Sequence, residues 1–146
     1  MTETDIITSV KSEQMQLEFG KENKLKSKRA IENIFANKKS FRNYPITVHV
    51  NFFVTMQPEL KFVTSAPKRL FKHAHDRNRI KRLMREAIRK NKVTLGQFLE
   101  KNKVGLHVFA VYNAEKEVTL ENIEISIKYL FKKIENEIST ETSIKN

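Results

Sequence analysis

The stretch Arg77-Asn78-Arg79-Ile80-Lys81-Arg82-Leu83-Met84-Arg85-Glu86-Ala87-Ile88-Arg89 carries two patterns at once. Wound at roughly 100° per residue, it gathers Ile80, Leu83, Met84, Ala87 and Ile88 on one side, the spacing of a helix that rests on a core. Asn78, Arg82, Arg85 and Arg89 then fall in a line on the opposite side. Arg77 and Lys81 flank that line on one edge, Arg79 and Lys90 on the other. The spacing predicts a helix from about His75 to Lys92, or on to Glu100 across a break near Thr94-Leu95-Gly96. Lys68 to Lys92 holds eleven basic residues against two acids, Asp76 and Glu86, so this patch carries +9 of the chain's net +11.

An excess of this size adds no folding stability and raises self-repulsion, so it points to a polyanionic partner. A helix built only for its own stability would pair Glu with Lys at i, i+4. Here one internal acid, Glu86, is within reach of Arg82 or Lys90. Arginine suits such a partner, because its planar fork holds a phosphate bidentately and also stacks on a base. Asn78 adds both a donor and an acceptor, enough to read a base or ribose edge.

Upstream, Ile46, Val48, Val50, Phe52 and Val54 alternate with Thr47, His49, Asn51, Phe53 and Thr55, the period of a strand with one core face and one mixed face. Gln57-Pro58-Glu59 reads as a hairpin turn, with Leu60 to Ala66 as the returning strand and Ser40 to Arg42 as a short edge strand. Leu25 to Phe35 reads as a first helix. It is crowded at its start by Lys24, Lys26, Lys28 and Arg29, although cations oppose the dipole there. Downstream, Gly105 to Tyr112 is a buried strand. Thr119 caps a last helix whose stripe is Leu120, Ile123, Ile127, Leu130, Phe131 and Ile134. The order is α-β-β-β-α-β-α, an α+β two-layer sandwich with helices on one face of a small sheet and the other face available. Residues 1–17 and 139–146 read as mobile tails around one domain, 18–138.

The 146 residues suffice for one core. The absence of cysteine excludes disulfides, thiolate nucleophiles and Cys-based zinc sites and suits a cytoplasmic protein. The N-terminus lacks the basic start and apolar stretch of a secretory signal, and no segment has the length of a spanning helix. His73, His75 and Asp76 lack a metal-ligand spacing, and no catalytic motif is present.

The Arg-Asn-Arg-x-Lys-Arg core at 77–82, its downstream Arg85-Glu86 and Arg89, the basic pair Lys68-Arg69 after Phe62 to Ala66, and Phe19-Gly20-Lys21 through Leu25 to Ile34-Phe35 resemble the protein subunit of bacterial ribonuclease P. The resemblance implies a ribosomal-protein-S5-domain-2-like fold with a left-handed β-α-β crossover, against the usual hand. It implies two RNA partners, the ribonuclease P RNA and precursor tRNA, and an accessory role in endonucleolytic removal of the 5′ leader. The RNA with Mg²⁺ would perform the hydrolysis, with no catalytic residue, no firmly bound metal and no membrane contact in this chain, which is expected to be monomeric. The RNA-binding residues would be Lys68, Arg69, Lys72, Arg77, Asn78, Arg79, Lys81, Arg82, Arg85 and Arg89. Ile31, Phe35, His49, Asn51 and Phe53 would line the cleft for the single-stranded leader, where Phe35 is either a stacking platform or a core residue. The alternative is a non-enzymatic RNA binder, of the ribosomal-protein or RNA-chaperone kind. A DNA reader would show a helix-turn-helix before its recognition helix, and a membrane-surface helix would not need its apolar face for a core.

Overall fold

A computed structural model describes residues 23–145. Its elements are α1 (Lys28–Asn37), β1 (Lys39–Asn43), β2 (Ile46–Val54), β3 (Leu60–Ser65), α2 (Ala74–Asn102), β4 (Val104–Tyr112) and α3 (Leu120–Lys145). The α-β-β-β-α-β-α order and the α+β class are those expected from the residue pattern. The stretch 1–17 and Phe19-Gly20-Lys21 lie outside the described residues.

The sheet runs β1-β2-β4-β3. β2 pairs antiparallel with β4 along its whole length, from Ile46 opposite Tyr112 to Val54 opposite Val104. β3 pairs parallel with β4, from Leu60 opposite Leu106 to Ser65 opposite Val111. This corrects the hairpin expected at Gln57-Pro58-Glu59: the chain reverses there, but β4 inserts between the two strands. The reason lies in β4 itself. Its sequence, Val-Gly-Leu-His-Val-Phe-Ala-Val-Tyr, is apolar on both faces, and such a strand is stable only in the middle of a sheet. Because β3 and β4 are parallel, α2 is the crossover that joins them.

Ile46, Val48 and Val50 of β2, Leu106, Val108, Ala110 and Tyr112 of β4, and Phe62 of β3 face α2 and α3 in a single core. Ile80, Met84, Ala87, Ile88, Leu95 and Leu99 of α2 and Ile123, Ile127, Leu130, Ile134 and Ile138 of α3 complete it. α2 is unbroken at Thr94-Leu95-Gly96, contrary to the expected interruption. Glycine costs a helix about 1 kcal/mol, whereas burying Leu95 and Leu99 returns roughly 1.5–3 kcal/mol each. Thr119 caps α3 through its side chain, which accepts from Asn122 N at 3.3 Å. α3 also continues through the stretch expected as a C-terminal tail. Ile138 is buried, and Glu137 and Glu141, one turn apart, both pair with Lys39 of β1.

A second correction concerns α1. It does not join the helical layer but crosses the other face of the sheet, where Phe35 meets His49 of β2 and Phe109 of β4 at centroid distances of 5.0 and 5.1 Å. Ile34 is buried there, outside the main core. Ser27 caps α1 by accepting from Ala30 N at 3.2 Å. Just before it, Asn23 to Leu25 cover the outer edge of β3: Leu25 N donates to Phe62 O at 2.9 Å and Asn23 Nδ2 to Leu60 O at 3.0 Å. Lys38 ends α1 in the left-handed conformation, φ 55° and ψ 27°. That conformation costs an L-residue roughly 1–2 kcal/mol and costs glycine nothing. Lys38→Gly is therefore expected to stabilise the domain by about 1 kcal/mol, read as a higher urea midpoint at unchanged slope.

Candidate nucleic-acid interface

α2 presents its polar side as the spacing required, but the cations on it fall into two groups. On the edge toward α3 they are neutralised. Arg79 is bound by Glu117, with contacts of 3.0 and 2.7 Å, and by Asp76 at 3.2 Å. Lys90 pairs with Glu124 at 3.0 Å. Glu86 takes neither of the partners expected for it, Arg82 or Lys90. It accepts from Arg89 Nε at 3.0 Å and from its terminal nitrogen at 2.5 Å, and that hydrogen bond holds the Glu86 carboxyl below its ordinary range. Arg89, the end of the expected free line, is thus engaged within the chain.

The edge toward β3 is different. Asn78 and Arg82 are exposed, and Lys81 and Arg85 are half-buried. Among the described residues, Lys68, Lys72, Lys81, Arg82 and Arg85 make no side-chain ion pair. Arg85 lines a groove of ≈ 220 Å³ together with Lys24, Leu25, Lys26, Phe62, Val63 and Thr64. Lys24 and Lys26 were visible in the sequence as cations crowding the wrong end of α1; only the covering of β3's edge brings them beside Arg85. Arg77 does something else. Its guanidinium donates to Phe71 O and Lys72 O, both at 2.9 Å, and so fastens the loop between β3 and α2. Phe71 in turn packs on the buried ring of Tyr112 at 5.8 Å.

The face crossed by α1 carries a second concavity. An open groove of ≈ 400 Å³ is lined by Ser40, Arg42, Thr47, His49, Arg69, Val111 and Asn113. Arg69 leans on Asn113 Oδ1 at 3.5 Å. Phe35 is 46% exposed beside the groove, its ring against His49. Of the five residues expected to line one cleft, only His49 lines this groove, and Phe35 flanks it. Ile31 is a half-buried residue of α1. Asn51 lies two pairs further along the sheet, opposite His107. Phe53 lies over Gly105, where an added Cβ would meet its ring at 2.4 Å, and packs edge-on against His107, which contacts Glu59 at 2.6 Å. Arg42, Thr47 and Asn113 were not singled out from sequence, because strand pairing alone places them side by side. His73 and His75 stack on each other at 5.5 Å, and His75 contacts Asp76 at 3.4 Å.

The family model described as Ribonuclease P matches residues 19–135. The chain belongs to the ribonuclease P protein family. Membership makes it a protein component of ribonuclease P and carries RNA binding and tRNA processing with it. The fold is similar to that of the RNase P protein of Thermotoga maritima, with a TM-score of 0.58 and 21% identity over 75% of this chain and 96% of that one. It is similar also to the Staphylococcus aureus RNase P protein, with a TM-score of 0.56 and 21% identity over 75% of this chain and 93% of that one. No curated protein matches the chain by sequence. None of the helices, among the described residues, is long and apolar enough to cross a membrane.

Arg77→Ala should loosen the 67–73 loop and lower stability by roughly 1–3 kcal/mol, whereas Arg82→Ala with Arg85→Ala should leave the thermal midpoint within a degree or two; calorimetry on both separates a fastening arginine from a contacting one. Burial also lowers the His49 pKa from its ordinary 6.5. The ring is then neutral at pH 7. Its contribution to stability is complete above about 6.5 and is lost as pH falls through the folded midpoint. An NMR titration should place that midpoint below 6.5.

Proposed function

We propose that the chain binds the ribonuclease P RNA and the 5′ leader of precursor tRNA, assisting cleavage that the RNA itself performs. The observation that carries this reading is the uncompensated edge of α2: Asn78, Lys81, Arg82 and Arg85 project together, and Lys24, Lys26, Lys68 and Lys72 extend the same surface around β3. A rigid row of guanidinium and ammonium groups neutralises successive phosphates, and the counterions released make binding steeply salt-dependent. Arg77, Arg79 and Arg89, each held by partners within the chain, position this surface and contribute field more than direct contact.

The groove at Arg42, Thr47, His49, Arg69 and Asn113 suits a single strand. It offers cations for the backbone, Asn113 for a base edge and the half-exposed Phe35 ring as a stacking platform, a combination used by single-strand binders. A neutral His49 can donate or accept at one ring nitrogen each. This is the part of the surface that would take the leader.

Mg²⁺, which the family requires in general, would be held by the RNA. The described residues bring together no cluster of three metal donors, and Asp76, Glu86 and Glu117, the carboxylates within the cationic field, are engaged by Arg79 and Arg89. A hard divalent cation needs several oxygen ligands free of such partners. We place the protein in the cytoplasm, as a monomer before it joins the RNA.

Reconstitution tests the reading. The chain, a bacterial ribonuclease P RNA and precursor tRNA are combined at low Mg²⁺, where RNA alone cleaves poorly. Cleavage at the mature 5′ end is expected only with both components. Arg82→Ala with Arg85→Ala should reduce the log–log salt slope of RNA binding by up to about 2. If the protein binds RNA yet never stimulates cleavage, a role as a free-standing RNA binder replaces this one.

A further inference from the structure

Between α2 and α3 lies a groove of ≈ 260 Å³. It sits past the Lys90–Glu124 pair, on the side of α2 away from β3, and across the sheet from the groove beside Phe35. Leu95 and Phe131, both buried, give it an apolar lining, and Phe62 backs the Phe131 ring at 5.9 Å. Asn91, whose Nδ2 donates to Ala87 O at 2.7 Å, and Thr94 close the α2 side. Pockets for drug-sized molecules run to roughly 300–1,000 Å³, so this one has room for one flat ring system and little more.

The α3 side supplies the polar groups. Glu135 is half-buried there, and among the described residues no hydrogen bond or salt bridge reaches its carboxylate. Burial pushes the carboxyl above its ordinary range, and the charge of Lys132 offsets only part of that. An acceptor left so in an apolar slot is a cost that donors on a ligand would remove. Lys128 and Lys132, one turn apart and exposed, stand at the rim, and neither forms a salt bridge among the described residues. Next to them Tyr129 is half-exposed, with the Lys133 ammonium over its ring at 5.2 Å. Slot, acceptor and cations together fit a flat ring that has neighbouring N–H donors and an attached phosphate. Of the RNA bases only guanine carries a pair of such donors side by side on its Watson–Crick edge, and an ionised carboxylate accepts both at once.

We propose that the α2–α3 groove holds an unpaired guanosine of an RNA strand, with the base against Leu95 and Phe131, its donor edge on Glu135 and its phosphate on Lys128 and Lys132. Resting on the RNA-binding reading of the chain, but on neither the α2 flank toward β3 nor the leader groove, this is a third and separate contact. A strand suits it better than a free nucleotide. The cations run out of the groove along α3 to Lys133, and the Tyr129 ring beside them offers the next nucleotide a stacking platform. An acidic peptide would meet the same lysines, but it would bring its own carboxylates toward Glu135, where like charges repel.

The test titrates the full chain with short uridine oligonucleotides that carry one central guanosine, inosine or adenosine, read by fluorescence anisotropy and by the NMR signals of Leu95 and Phe131. The guanosine oligonucleotide is expected to bind roughly 10-fold tighter than the adenosine one, with inosine, which lacks the 2-amino group, in between. Only the guanosine and inosine forms should shift Leu95 and Phe131 strongly. Glu135→Gln should abolish the preference among bases and leave binding of the plain uridine strand unchanged. Lys128→Ala with Lys132→Ala, at exposed positions, should weaken the guanosine oligonucleotide and flatten its salt dependence. Equal affinities for the three bases, or unmoved Leu95 and Phe131 signals, would overturn the proposal. So would guanosine monophosphate binding there as tightly as the oligonucleotide, which assigns the groove to a free nucleotide, or a glutamate-rich peptide shifting those signals where the oligonucleotides do not. Adding Arg82→Ala and Arg85→Ala should lower binding of the ribonuclease P RNA and keep the guanosine preference. If that RNA binds as before, the assignment of the α2 flank fails while the groove stands.

Discussion

The packing of Ile80, Met84 and Ile88 into the core shared by the sheet and α3 fixes where the arginines of α2 point. In a helix the direction of every side chain follows once one face is anchored. Burying three such side chains holds that face with several kcal/mol, far more than a solvated ion pair could contribute. Asn78, Lys81, Arg82 and Arg85 therefore need no partners of their own to stay in register. Their spacing is inherited from the core, and it is set before any partner arrives. β4 lies parallel beside β3, and α2 supplies the crossover that parallel pairing needs.

The opposite face of the sheet obeys a different rule. An exposed mixed face would leave Phe53, His107 and Phe109 in water; α1 crosses it, sets Phe35 against His49 and Phe109 and buries Ile34. The crossing is incomplete, because ten helical residues cannot cover four strands. What stays open is the end near Arg42, Thr47 and Asn113, with Phe35 half-exposed at the margin. The groove is the uncovered remainder of a face whose other part has become a small second core. Gly105 belongs to that core for a plain reason: only the absence of a Cβ leaves space for the Phe53 ring.

The anchored stripe and the opposing cations of α2 were legible from residues 77–89 alone, because a 3.6-residue period survives in sequence without any knowledge of neighbours. The alternation of 46–54 was legible for the same reason. Strand partnership was not. A turn at Gln57-Pro58-Glu59 marks where the chain reverses but not which strand it then pairs with, although the two-sided apolar character of β4 argued for a central place. The side of the sheet taken by α1 was equally hidden, since an amphipathic helix shows how much it buries and not against what. The groove lining suffered most. Arg42, Arg69 and Asn113 are far apart in sequence and come together only through the β1-β2-β4-β3 order, whereas Asn51 and Phe53, grouped with His49 by alternation, lie further along the same strand and leave the groove.

The distribution of acids around α2 gives the surface a direction. Asp76, Glu117 and Glu124 sit only on the edge toward α3 and cancel Arg79 and Lys90 there. Glu86 cancels Arg89 near the far end. The edge toward β3 holds no such acid among the described residues, and Lys24 and Lys26 add to it. A polyanion is therefore drawn to the crest and the flank toward β3, and not to the flank toward α3. From that flank the basic residues continue past Lys72 and Lys68 to Arg69, which lines the groove on the other face. Basic residues thus run from one concavity to the other, and under the function proposed above an RNA along α2 and a single strand in the groove would share one field. The neutralised edge reinforces that direction: Glu117 and Glu124 cancel Arg79 and Lys90, so the approach that leads to the groove is the more strongly cationic one.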